Sequence, residues 1–133
     1  MAYHSKVDPT EELGRGIFSS SIAKRSRRAI PKNVFLEREG NARISVDRLS
    51  IAPAIESIRI ADEVAVQRNR KFYGWAIISA ESASQNGRSV EASALIHNQF
   101  HADIVLPPEA NKREEQIMHA QLLADLSNWR ARP

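Results

Sequence analysis

The stretch Phe72-Tyr73-Gly74-Trp75-Ala76-Ile77-Ile78 restricts the fold more than any other. Both of its alternating faces are apolar, so as a strand it must be covered on two sides rather than lie half-exposed at an edge. It is the candidate central strand of a sheet. Residues 33–37 and 42–46 read as two short strands, and Arg38-Glu39-Gly40-Asn41 between them supplies turn residues for a β-hairpin. Residues 89–95 and 101–106 read as two more strands, the second stopped by Pro107 and Pro108.

The helical signals lie between these segments. Ser19, Ser20 and Ser21 offer an amino-terminal cap for a helix within residues 18–30, and Pro31 disfavours helix at Ile30. Residues 51–67 keep helical spacing at Ile51, Ile55, Ile58 and Ala61, with Pro53 near the start where a missing amide donor costs nothing. A short helix over residues 81–86 ends at Gly87. Residues 109–129 read as a long helix, because Met118, Leu122, Leu126 and Trp129 recur on one face. The expected class is α+β: an antiparallel or mixed sheet of about five strands, with the long C-terminal helix and a second helix packed on one face. Residues 1–12 read as a flexible leader and residues 13–133 as a single domain.

Composition narrows the chemistry. The chain has 133 residues, 42% of them hydrophobic, enough for one core without covalent staples. Zero cysteines exclude disulfides, thiolate metal sites and cysteine nucleophiles, and suit a reducing compartment. No apolar run approaches the roughly 20 residues that span a bilayer, and Met1-Ala2-Tyr3-His4-Ser5-Lys6 opens no signal-peptide pattern. A cytoplasmic protein is expected.

Net charge is +3, unevenly spread. Between Leu13 and Leu36 lie Arg15, Lys24, Arg25, Arg27, Arg28 and Lys32 with no acidic residue, so that window carries +6 and the remainder −3. A basic cluster on a near-neutral body is the footprint of a surface that meets phosphates. Solvation of a helix face, or pairing with Asp62, Glu63, Glu114 and Glu115, gives the same pattern without any ligand. Gly14-Arg15-Gly16 lacks the third glycine of a dinucleotide loop.

Of the four histidines, His97 and His101 are the pair close enough in sequence to suggest a site. Their four-residue spacing matches zinc proteases, but Asn98 stands where that motif needs a glutamate. On a strand, His101 and Asp103 project from one face, so Asp103 would hold the imidazole of a general base. Two ligands fall short of the three that a catalytic metal usually needs, so no metal site and no cofactor is assigned. The bland alternative is a structural histidine satisfied by a loop carbonyl or by Asp103. Ser45 and Asp47 share a strand face, and no serine lies in a nucleophile elbow. The 8 aromatics are too few for an extended stacking platform; Tyr73 and Trp75, expected on one strand face, suit core packing better.

At Ser45-Val46-Asp47-Arg48, Gly74-Trp75-Ala76, Gly87-Arg88-Ser89-Val90 and Asn98-Gln99-Phe100-His101-Ala102-Asp103-Ile104 the chain resembles a group of small uncharacterised bacterial proteins. The likeness covers roughly residues 17–129; that group reads Asn-Pro-Tyr/Ala-His-Ala in the last stretch, from which Gln99 and Phe100 depart. It implies a bacterial origin, draws attention to His101 and implies no mechanism.

Three functions follow as expectations. The first is a nucleic-acid-acting protein, RNA ahead of duplex DNA. Lys24, Arg25, Arg27, Arg28 and Lys32 would hold phosphate, and His97, His101 and Asp103 would supply metal-independent phosphodiester chemistry. The second is a non-catalytic module docking on an acidic protein partner, such as an accessory or neutralising subunit of a bacterial operon. The third is a nucleotide-dependent transferase using Arg28 and Ser45 or Asp47. No membrane partner is expected.

Overall fold

The computed structural model describes residues 6–133. Strands β1 (Glu12–Ile17), β2 (Arg43–Arg48), β3 (Gly74–Ser79), β4 (Ser89–Ala92), β5 (His101–Val105) and β6 (Asn128–Ala131) form one antiparallel sheet. The order across it is β4-β5-β2-β1-β3-β6. Helices α1 (Ser20–Ser26), α2 (Ala54–Gln67), α3 (Ala80–Ala83) and α4 (Arg113–Asp125) complete an α+β fold. None of these helices is long and apolar enough to cross a membrane.

The doubly apolar strand is β3, which lies inside the sheet between β1 and β6 and is buried from Gly74 to Ile78. Its two faces feed two cores. Ala76 and Ile78 join Leu13, Ile44, Val46 and Ile104 beneath α1, α3 and α4, whereas Trp75 and Ile77 pack on Ala61 and Ala65 of α2. Helices therefore cover both faces rather than one, because a strand apolar on both sides needs cover on both. Tyr73 and Trp75 also part company: Tyr73 packs on the first core and Trp75 on the second.

Several elements differ from the sequence reading. Residues 33–37 are not a strand: Lys32–Val34 form a 3-10 turn, which sends the consecutive Val34 and Phe35 both into the core. A strand would have pointed them to opposite faces, so the expected hairpin is absent. The expected leader is part of the fold where it is described, because Glu11 is buried and Glu12 opens β1; residues 1–5 lie outside the described residues. The sixth strand, β6, occupies sequence expected to end the long helix.

Helix α4 is correspondingly shorter and turned differently. Gln116, His119, Ala120, Leu123 and Ala124 are its buried side, and Met118 and Leu126 are exposed. Gln116 explains the rotation. Its Nε2 donates to the carbonyls of Arg38 and Asn41 and its Oε1 accepts from the Gly40 amide, so one side-chain amide ties the 38–41 turn to α4. Buried backbone groups that lack sheet partners need such a side chain.

Two buried arginines fasten the edges of the fold. Arg48, 1% exposed, makes a two-pronged ion pair with Glu11, Nε to Oε1 at 2.9 Å and Nη2 to Oε2 at 2.8 Å. Arg88 donates to the Ala83 and Ser82 carbonyls at the end of α3 and to His119 Nδ1 at 2.9 Å. An arginine has no lone pair to offer, so His119 must be the acceptor at Nδ1.

Candidate functional site

Strand register builds the site. Gly14, Asp47 and His101 are successive partners across β1, β2 and β5, and Ser45, Asp103 and Glu91 form the neighbouring row across β2, β5 and β4. These rows lie on the α2 side of the sheet, opposite Val46 and Ala102 of the first core. β1 and β2 pair only at Leu13–Arg48 and Gly14–Asp47 and then separate. Arg15 spans the gap, donating from Nε to Val34 O at 2.9 Å and from Nη1 to Ser45 O at 2.8 Å, and pairing with Glu37. Its guanidinium is committed to the scaffold.

A cavity of about 720 Å³ opens over this separation, within the range of roughly 300–1,000 Å³ typical of small-ligand sites. Asp47, Asn98 and His101 form its polar wall; Phe18, Ile60 and Val64 line an apolar one. Arg68, Arg70 and His97 also border it. All three are exposed, and among the described residues none makes an ion pair. Arg68 is placed by Phe18, whose ring centre lies 5.2 Å from the guanidinium carbon, a cation–π distance.

His101 is oriented, but not by Asp103. Its Nδ1 lies 3.0 Å from Ser93 O and 2.8 Å from Ser93 Oγ, so the carbonyl fixes the proton on Nδ1 and leaves Nε2 as the acceptor of the neutral ring. His101 and Asp103 do share a face, yet Nε2 stands 4.0 Å from Asp103 Oδ1. Asp103 Oδ2 is engaged by Arg43 at 3.1 Å, and Arg43 also reaches Glu91. Asp103 is thus a structural ion-pair partner, and the expected orienting role falls to Ser93.

Asp47 is the half-buried acid of the cavity. Its Oδ1 accepts from Asn98 Nδ2 at 2.6 Å, while Asn98 Oδ1 accepts from the Phe100 amide and is thereby fixed. Burial raises the Asp47 pKa above its ordinary 3.8, outweighing the Asn98 hydrogen bond and the charges of His101 and Arg15. The tight turn Leu95-Ile96-His97-Asn98, closed by paired backbone hydrogen bonds between Leu95 and Asn98, puts His97 at an exposed tip.

The predicted basic segment is helix α1 and its continuation. Ser19 caps it, Oγ accepting from the Ile22 amide at 3.3 Å. Lys24, Arg25, Arg27, Arg28 and Lys32 are all exposed, and none has an ion-pair partner among the described residues. Of the acids suggested as partners, Asp62 pairs with Arg132 and Glu63 with Arg59. The amino-terminal end of this segment, through Ser19 and Ile22, lines the cavity, but its five cations do not. The unpaired cations at the cavity are Arg68 and Arg70, which the sequence reading did not single out. Among the described residues no group of three or more His, Asp or Glu is placed to hold a metal ion.

No protein-family model, curated protein or solved structure matches the chain.

Proposed function

We propose that this protein binds nucleic acid, single-stranded RNA ahead of duplex DNA, along a path from the α1 cations to the cavity. The observation that carries the reading is charge without internal partners. Seven basic side chains, Lys24, Arg25, Arg27, Arg28, Lys32, Arg68 and Arg70, stand exposed and unpaired among the described residues, whereas Asp62, Glu63, Glu91 and Glu37 are engaged by other arginines. Exposed cations that the fold does not use supply affinity for a phosphate chain. A bacterial origin and a cytoplasmic location belong to the same reading.

The test is fluorescence anisotropy of a labelled RNA 12-mer at rising salt, with wild type and with Arg25→Glu/Arg27→Glu/Arg28→Glu. Neutralising Z phosphates of a single strand gives a log–log salt slope near −0.7Z, so reversing three contacts should flatten it by about two. Absent or salt-insensitive binding overturns the reading. A single acidic protein that copurifies and is lost on the same reversal would establish the docking module in its place.

The orientation of His101 favours an extension to catalysis. With Nδ1 tied to Ser93 O, Nε2 is the nitrogen able to take a proton from a ribose 2′-hydroxyl. The resulting oxygen attacks the adjacent phosphorus, the 5′-oxygen leaves and takes a proton from solvent, and Arg68 or Arg70 offsets charge developing on the phosphate. His101→Ala would then abolish cleavage of bound RNA while leaving affinity within about twofold; intact RNA after prolonged incubation with wild type would leave a binder alone.

A further inference from the structure

A carboxylate is an odd wall for a site that meets phosphates; of the two acids that line the cavity, Glu63 is paired with Arg59, and Asp47 stands on a different element of the fold from the unpaired cations. Arg68 and Arg70 come from the end of α2 and the segment after it, whereas Asp47 stands in the sheet, paired in register with His101 and next to Asn98. Asn98 already occupies Asp47 Oδ1, and no hydrogen bond reaches Oδ2 among the described residues. A fixed acceptor with an apolar wall nearby suits a flat, uncharged group that donates hydrogen bonds. A phosphate does not fit that description.

From this division we propose that the cavity is a base-reading pocket, in which Asp47 accepts a hydrogen bond from the exocyclic amine of a nucleobase while the attached phosphate lies toward Arg68 and Arg70. Phe18, Ile60 and Val64 supply the apolar wall along which the flat base lies, and Arg68, seated over the Phe18 ring, stands beside that wall on the phosphate side. Acceptance by a carboxylate distinguishes cytosine from uracil, because the cytosine N4 amine donates where uracil O4 only accepts. Uracil in the same pose would set its carbonyl oxygen against the carboxylate. Asn98 makes this discrimination directional, holding Asp47 in one rotamer from a side chain that is itself tied to the Phe100 amide.

The inference rests on the nucleic-acid reading for the rim and on the Asp47–Asn98 geometry for the floor, and the two are tested apart. Anisotropy with the full chain at pH 7.5 compares oligocytidine with oligouridine of equal length. Cytidine strands are expected to bind about tenfold tighter, as one good base contact is worth, and Asp47→Asn is expected to reduce that ratio to within twofold while leaving the salt slope unchanged. A melting curve for Asp47→Asn at or above that of wild type establishes that the variant is folded. Equal binding of the two strands by wild type, or a preference that survives in the variant, overturns the proposal. Free cytidine and free uridine, which carry no phosphate, provide the second arm. Cytidine raising the melting temperature and uridine leaving it unmoved supports the pocket even if RNA strands fail to bind and the nucleic-acid reading falls; no shift with either nucleoside sinks the pocket even if RNA binds through α1.

Discussion

Asp47 and His101 are direct partners across β2 and β5, and each is held in place by a side chain from the segment between β4 and β5: Asn98 for the acid and Ser93 for the imidazole. The first of these arrangements costs stability. The folded pKa of Asp47 is raised by burial, so its contribution to stability is fully present below the unfolded value of 3.8 and is lost as pH rises through the folded value. Ionising this buried acid is costlier in the folded state than in the unfolded chain. Asp47→Asn should therefore stabilise the fold by about 0.5–2 kcal/mol at pH 7 and lose that advantage near pH 3, as measured by urea denaturation at both pH values.

The Glu11–Arg48 pair has the opposite sign. Burial pushes the Glu11 pKa up, but the Arg48 hydrogen bonds, the hydrogen bond from the Asp8 amide and the Arg48 charge together outweigh it and hold the value below 4.5. Stability from the pair is present above pH 4.5 and falls away as pH drops through the folded value. Glu11→Gln should cost about 3–5 kcal/mol at pH 7, since it breaks a buried ion pair by removing one partner's charge, and Glu11→Leu/Arg48→Met should recover most of that loss. Chemical denaturation of the three proteins checks both statements.

His119 should make stability fall in mild acid. Burial, then the charge of Arg88, lowers its folded pKa beneath 6.5, with Glu115 and Glu109 opposing weakly. The neutral ring is the one that accepts from Arg88, so stability is complete above pH 6.5 and declines as pH falls below it. His119→Gln keeps an acceptor for Arg88 without a titrating group. Melting temperatures from pH 7.5 to 5 should drop less in the variant than in wild type; parallel curves would contradict the assignment.

Legibility in the sequence followed how local the signal was. β3, α2 and β5 were readable because each carries its own periodicity, and the shared face of His101 and Asp103 follows from period two alone. β1 was not, since Gly14 and Gly16 leave Glu12 as the one side chain on that face, and half of a strand pattern resembles a loop. β6 was hidden by Leu126 and Trp129, whose spacing imitates one more turn of helix. The meeting of Asp47 with His101 and Asn98 depends on pairing between strands more than 50 residues apart, which no local pattern encodes. The sequence reading gave Asp103 the orienting role because it was the nearest acid along the chain, whereas Ser93 reaches the ring across the β4–β5 pair.

Gly74 pairs with Ala131 of β6 and leaves no room for a side chain there. Its φ is 152°, and a Cβ there would sit 2.3 Å from Arg130 O and 3.0 Å from Ala131 Cα. Gly74→Ala should therefore push β6 away, at about 1–3 kcal/mol for the strained backbone, with amide protection lost first at residues 128–131. Hydrogen exchange that leaves those amides protected would refute it.

The position of β6 has a consequence for the behaviour of the molecule among its own copies. β3 is buried from Gly74 to Ile78 and would be the outermost strand if the last four-residue strand were missing. Arg130 and Arg132 clip that strand down through Glu12 and Asp62. A bare, apolar, hydrogen-bond-hungry edge recruits other chains into continuous sheets. Trimming of the chain past Asn128 is accordingly expected to bare β3 and to promote the joining of copies into continuous sheets.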